Sequence, residues 1–141
     1  MLLRLSGFHM LDAVSEYAPA LLPLAEAFLR RPSTFVFVKG SGKGVPLRAT
    51  RGVEQVDVLG PLFFAVAFRK PVAALCEQLL QCLEEEHGFS REQAEDELVV
   101  GAYLDDVLVG IPAAAAARVP EFATAAFAHV GCAVEEGNTK V

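Results

Sequence analysis

The chain has 141 residues, 53% of them hydrophobic and 21% charged, enough for one ordinary domain (1–141) that buries about two thirds of the surface its unfolded form exposes. So apolar a chain collapses in water, which excludes intrinsic disorder and collagen-like or linker-rich architectures. With 12 Lys and Arg against 18 Asp and Glu, the formal net charge is -6; the chain as a whole lacks the positive field that draws phosphate backbones, and any nucleic-acid contact has to be local.

Cys76, Cys82 and Cys132 are odd in number and form no CxxC pair, while His9, His87 and His129 are scattered without an HExxH or Cys/His spacing. Neither a disulfide framework nor a structural zinc is expected. The opening run MLLRLSGFHML is broken by Arg4, His9 and Asp12, and no small-residue cleavage site follows, so a secretory leader is not expected. The longest uncharged stretches fall short of the ~18 apolar residues of a membrane span. Together these features predict a cytoplasmic or nuclear protein with no membrane partner.

In chain order, Leu11 to Arg30 has apolar residues at near-helical spacing interrupted by Pro19 and Pro23, which predicts two short helices or one kinked one. Thr34–Val38 and Val45–Ala49 flank a glycine-rich run and read as a hairpin. From Leu59 to Glu86 the pattern is strongly helical, with Pro61 suited to the first turn, Pro71 expected to kink the helix and Gly88 marking its end. Ser90 and Gln93 in FSREQAEDEL have capping-box spacing and predict a short acidic helix to Glu97. Leu98–Leu104 and Val107–Ile111 then read as a strand pair. Ala113–Val130 has helical composition, with Pro120 opening its second half and Gly131 ending it, and Cys132 to Val141 suggests a last strand and turn.

Asp105 and Asp106 stand where these last two apolar strands reverse direction. Asp is disfavoured in strands and adjacent carboxylates repel, so stability alone would favour Asn-Gly or Asp-Gly at the turn. Magnesium or manganese takes carboxylate oxygens and would compensate the charge, and paired ions of this kind hold the attacking and leaving oxygens in phosphoryl transfer. An exposed acidic turn without a role explains the four residues Tyr103 to Asp106 equally well.

The run GVEQVDVLGPLFFA at 52–65 breaks that tie, because it resembles the GxxQGDPLGPLLFA motif of reverse transcriptases, especially those of non-LTR retrotransposons. Downstream, AYLDDVLV at 102–109 resembles their YxDD motif, GNTKV at 137–141 the end of the following motif, and RPST at 31–34 with its hairpin the preceding segment. The resemblance implies an α+β fold: a polymerase palm-like antiparallel sheet with helices packed on one face. It further implies an RNA template, a DNA primer and a deoxynucleoside triphosphate as partners, with Mg2+ or Mn2+ as cofactor. Asp105 would be the principal metal ligand and Asp106 a second catalytic carboxylate with a lesser metal role. Tyr103 would lie near primer or nucleotide, and Gln55 would help position template or nucleotide.

The chain departs from the family in four ways. The FxDxxxAF-type motif that supplies another aspartate has no counterpart, and two divalent ions close together need several anionic oxygens; the chain alone is therefore expected to be inactive. Val56 and Val58 replace a Gly and a Pro, and a β-branched side chain forbids positive φ and crowds a ligand. Asn138 stands in place of a lysine, with Lys140 two residues on as a partial substitute in substrate binding. The basic fingers strands and the thumb have no counterpart either. The alternative reading is a non-catalytic palm-like interaction or scaffold module, self-associating through uncovered sheet edges; a third is a ferredoxin-like domain whose acidic hairpin has no role.

Several other features are explained without a ligand. Gly40–Gly44 has the glycines and lysine of a hairpin tip, and its phosphate-loop spacing is incomplete. The runs around Glu84–Glu86 and Glu92–Glu97 read as solvated faces, Cys76 and Cys82 as small buried hydrophobes, and His129 as a residue favourably placed at a helix C-terminus.

Overall fold

The computed structural model describes residues 7–30, 33–38, 40, 42–49, 59–103 and 106–134. In order they form helices α1 (Gly7–Tyr17) and α2 (Leu22–Leu29), strands β1 (Ser33–Val38) and β2 (Gly44–Ala49), helices α3 (Gly60–His87) and α4 (Arg91–Glu97), strands β3 (Val99–Tyr103) and β4 (Asp106–Gly110), and helix α5 (Val119–Ala128). The protein is therefore α+β. It divides into two compact units, Leu5–Ala67 and a second made chiefly of Phe68–Val141. Among the described residues no helix is long and apolar enough to cross a membrane.

In the first unit the prolines separate α1 from α2 as their chemistry requires. A single 3-10 turn, Pro19–Leu21, joins them, and Pro23 sits in the first turn of α2, where its missing N–H would have had no helical partner. Met10, Ala13 and Val14 of α1 and Ala25 of α2 are buried. The expected hairpin is present, with β1 and β2 antiparallel and Val38 opposite Gly44. Gly42 adopts φ +76 in its turn, and a Cβ on Gly44 would come within 2.8 Å of Val36 Cγ1; a turn needing positive φ and a strand start needing a bare Cα both call for glycine.

The second unit is organised by the C-terminal part of α3. Phe68, Pro71, Leu75, Leu79 and Cys82 are buried at intervals of three or four residues, with Leu83 buried four residues after Leu79, the spacing that places side chains on one face of a helix. The helix remains a single element through Pro71, which lacks the N–H that would have bonded to the carbonyl of Ala67. Gly88, at φ +72, ends it, and the Phe89 N–H donates to the Leu83 carbonyl at 3.1 Å.

The expected capping box opens α4: the Gln93 N–H donates to Ser90 Oγ at 3.3 Å and the Ser90 N–H to Gln93 Oε1 at 2.9 Å. Its buried Ala94 joins Leu80, Cys82, Leu83 and Ala115 in a core against which Phe89, Leu98, Ile111 and Phe122 pack. Phe68 and Phe127 add a tilted ring pair with centroids 5.0 Å apart.

Three expectations are corrected. The alanine-rich stretch after Pro112 is not α-helical; it forms turns and one 3-10 turn, Ala116–Arg118, with i to i+3 bonds such as Ala115 N–H to the Pro112 carbonyl at 2.9 Å. Pro120 explains this, because it has no N–H to give the Ala116 carbonyl, and it sits in the first turn of α5. The strands form two separate two-stranded sheets among the described residues rather than one, since each strand pairs with its neighbour in sequence across a short local reversal. At 132–134 the expected last strand is absent, and the rest of that segment lies outside the described residues. Gly131 does end α5: at φ +75 it lets the Cys132 N–H donate to the Phe127 carbonyl at 3.0 Å.

Because Leu83 is fully buried in this core, Leu83→Ala is expected to lower unfolding stability by about 2–5 kcal/mol. Ser90→Ala is expected to lower it by about 1 kcal/mol through loss of the cap. Urea denaturation of both variants checks the order, and a larger loss at Ser90 than at Leu83 would contradict it.

Candidate functional site

Two groups in the second unit carry chemistry: the tip of the β3–β4 hairpin and the end of α3. In the hairpin, β3 and β4 are antiparallel with Tyr103 opposite Asp106, which leaves two residues for the reversal. Cross-strand partners share a face of a sheet, so Val99, Leu108, Tyr103 and Asp106 project on one side and Val100, Val109, Ala102 and Val107 on the other. Only the second side is partly covered, at Val100, Val107 and Val109. On the first, Tyr103 is 78% and Leu108 76% exposed. Leu98 and Ile111, just outside the strands, pack on the core, so the hairpin is anchored at its base and presents Tyr103 and Asp106 at its open end.

Of the residues that the sequence singled out, the structure brings together these two. Gln55, Asp105 and Lys140 lie outside the described residues. Asp105 is one of the two residues between paired Tyr103 and Asp106.

The end of α3 is acidic, and two arginines organise its charge. Arg91, at the start of α4, donates from Nη1 and Nη2 to the two carboxylate oxygens of Glu77, both at 2.9 Å, and from Nε to Glu95 at 2.9 Å; Glu84 stands 3.6 Å from its Nη1. Such a bidentate fork fixes geometry as well as charge. Arg118 pairs with Glu121 and, at 3.2 Å, with Glu86, while its guanidinium lies 4.9 Å from the centroid of the Phe122 ring. The glutamates therefore serve as a partly paired surface between helices and not solely as a solvated face.

Beside Arg118, Cys82 Sγ, a carboxylate oxygen of Glu86 and a ring nitrogen of His87 lie within 4.8 Å of one another. Cys82 is buried, and burial together with the neighbouring Glu86 carboxylate pushes its thiol up, against the opposing pull of Arg118. His87 Nε2 is shielded from solvent and has no hydrogen-bond partner among the described residues. None of the three cysteines forms a disulfide. Sequence reasoning passed over this group because its four- and one-residue spacing is not a familiar metal signature; the i, i+4 relation of Cys82 and Glu86 on a helix was the one available signal.

The hydrogen bonds from Arg91 hold the Glu77 carboxyl below its ordinary value of 4.5. A carboxyl whose folded value is depressed contributes stability that is complete above the unfolded value and is lost as pH falls through the folded one. Both side chains are exposed, so the contribution is small. The stability difference between the parent chain and Glu77→Gln is expected to be constant above pH 4.5 and to shrink below it, as read from urea midpoints across a pH series. A difference that does not change with pH would show that the Arg91 fork does not act through the charge of Glu77.

The tip thus offers an aromatic ring beside a carboxylate on an open strand face, and the end of α3 offers sulfur, oxygen and nitrogen donors within reach of one another. Compared with models of protein families, with curated proteins and with solved structures, the chain matches none.

Proposed function

We propose that the chain is a partial palm of an RNA-directed DNA polymerase, related by descent to enzymes that transfer nucleotides with two divalent metal ions and not competent to polymerise alone. The observation that carries this reading is the position of the acidic pair. It interrupts two apolar strands at a two-residue reversal, with Asp106 opening β4 directly across from Tyr103. That placement suits carboxylates that meet a cation at the rim of a sheet, and nothing in the strand chemistry itself calls for it.

Asp106 would provide one oxygen donor and Asp105 the principal one, with Tyr103 beside the primer or incoming nucleotide and Gln55 and Lys140 contacting template or nucleotide. Magnesium or manganese, when bound, would neutralise the charge that develops on the transferring phosphate. Two aspartates are too few oxygen donors for two such ions, and the counterpart of a third is missing from the sequence.

A second reading has its own support. Val99 and Leu108 lie on the open face of the hairpin, 66% and 76% exposed, and the outer edges of β3 and β4 are unpaired among the described residues. Open edges carrying apolar side chains invite strand addition, which favours a non-catalytic module that associates with a second copy or another chain.

Manganese titration separates the two readings. Under the palm reading the chain binds manganese, Asp105→Asn weakens binding more than Asp106→Asn, and the isolated chain extends no primer on an RNA template. Equal and negligible binding in the parent chain and both variants would defeat the palm reading, and concentration-dependent association weakened by Leu108→Lys would then support the module. Primer extension that Asp105→Asn abolishes would overturn the claim that the chain is inactive alone.

A further inference from the structure

We propose that Cys82, Glu86 and His87 form a binding site for a zinc-like transition-metal ion at the end of α3, separate from the acidic hairpin and not dependent on its function. Their donor atoms, one sulfur, one carboxylate oxygen and one ring nitrogen, already lie within 4.8 Å of one another. Ligands of a tetrahedral zinc ion, at ~2.0–2.3 Å from the metal, stand roughly 3.3–3.8 Å apart. Closing that gap calls for movement of side chains, chiefly the long Glu86 side chain and the His87 ring, which are not fully buried.

The donor set selects the class of ion. Magnesium and calcium prefer oxygen alone, whereas thiolate with imidazole suits zinc and its neighbours. Three protein ligands leave a fourth position for water or another small ligand, the arrangement of open zinc sites.

Two further observations point the same way. Cys82 is buried while His87 Nε2 is shielded from solvent without a partner among the described residues, although buried polar atoms are ordinarily satisfied. Arg118 Nη2 donates to one Glu86 oxygen, Oε1, at 3.2 Å, and a ligating carboxylate is commonly oriented by such an outer hydrogen bond.

The local charge also closes. The Cys82 thiolate and the Glu86 carboxylate balance a dication, and Glu121 balances Arg118. On binding, the Sγ–H bond of Cys82 breaks as the sulfur–metal bond forms, and the proton passes to the buffer.

Cobalt serves as the probe, because it takes zinc sites and absorbs visibly. The full chain, with its thiols kept reduced by a phosphine, is titrated with cobalt chloride while its helicity is followed by circular dichroism. One equivalent is expected to produce a thiolate-to-cobalt charge-transfer band together with visible bands of four-coordinate intensity. Cys82→Ala is expected to abolish the charge-transfer band. His87→Gln and Glu86→Gln are each expected to weaken binding at least about tenfold, a loss that even the hydrogen-bond partners of metal ligands can bring. Cys76→Ser is expected to leave the titration unchanged.

Absence of the band in the parent chain overturns the proposal. So does its survival in Cys82→Ala, or an unchanged affinity in a folded His87→Gln chain. Should Cys82→Ala fail to fold, His87→Gln carries the test, since that ring is only partly buried. Manganese binding at the hairpin is expected to be unaffected by Cys82→Ala, so failure here and failure of the polymerase reading are read separately.

Discussion

Burial of the leucine stripe on α3 is the constraint from which the second unit follows. Leu75, Leu79 and Leu83 recur every four residues, and all three are fully removed from solvent. Each such side chain contributes about 1.5–3 kcal/mol when taken out of water, so no arrangement that leaves the stripe bare competes. The residues that meet its end are small, Ala94 from α4 and Ala115 from the turn before α5, and small residues let backbones approach closely. The aromatic and aliphatic side chains of Phe89, Leu98, Ile111 and Phe122 then close the margins of the same cluster.

The chemistry of this unit is a consequence of where that stripe ends. Once Leu83 and Cys82 face the core, the helix period turns Glu84, Glu85 and Glu86 toward the boundary with solvent, where like charges crowd. Arg91 and Arg118 answer that crowding from α4 and from the turn before α5, tying both to α3 through exposed ion pairs. Such pairs add little stability individually; their effect here is to orient. Arg91 fixes the start of α4 against Glu77, and Arg118 sets the carboxylate of Glu86 beside a buried thiol and a ring nitrogen. The hairpin stands in contrast, held by Leu98 and Ile111 at its base and largely exposed over the face that carries Tyr103 and Asp106. Rigid support beneath with open chemistry above is what a binding element needs, and an exposed apolar strand face is equally what an association surface needs.

Much of this organisation is legible without coordinates where the signal is local. Pro19 and Pro23 divide the first helical stretch, Ser90 and Gln93 cap α4, and the glycine-rich run closes β1 onto β2, because each depends on the steric or hydrogen-bonding properties of residues a few positions apart. The reversal at 103–106 is legible for the same reason. The alanine-rich stretch misleads because intrinsic helix propensity is a weak preference, outweighed when Pro120 removes a donor within the same turn. A single sheet was expected only because the resemblance implies one, and local strand signals say nothing of which edges meet.

Local pattern therefore accounts for most of the elements, their order and several of their ends, such as Pro19, Ser90 and Gly88, all governed by backbone sterics and short-range hydrogen bonds. Which side chains became neighbours is settled by folding in three dimensions: that one face of the β3–β4 hairpin stays open, and that Cys82, Glu86 and His87 converge beside Arg118. Those outcomes depend on how the leucine stripe is covered and on the rotamers that its packing permits. Packing of this kind is settled by contacts between residues distant along the chain, which no local pattern records.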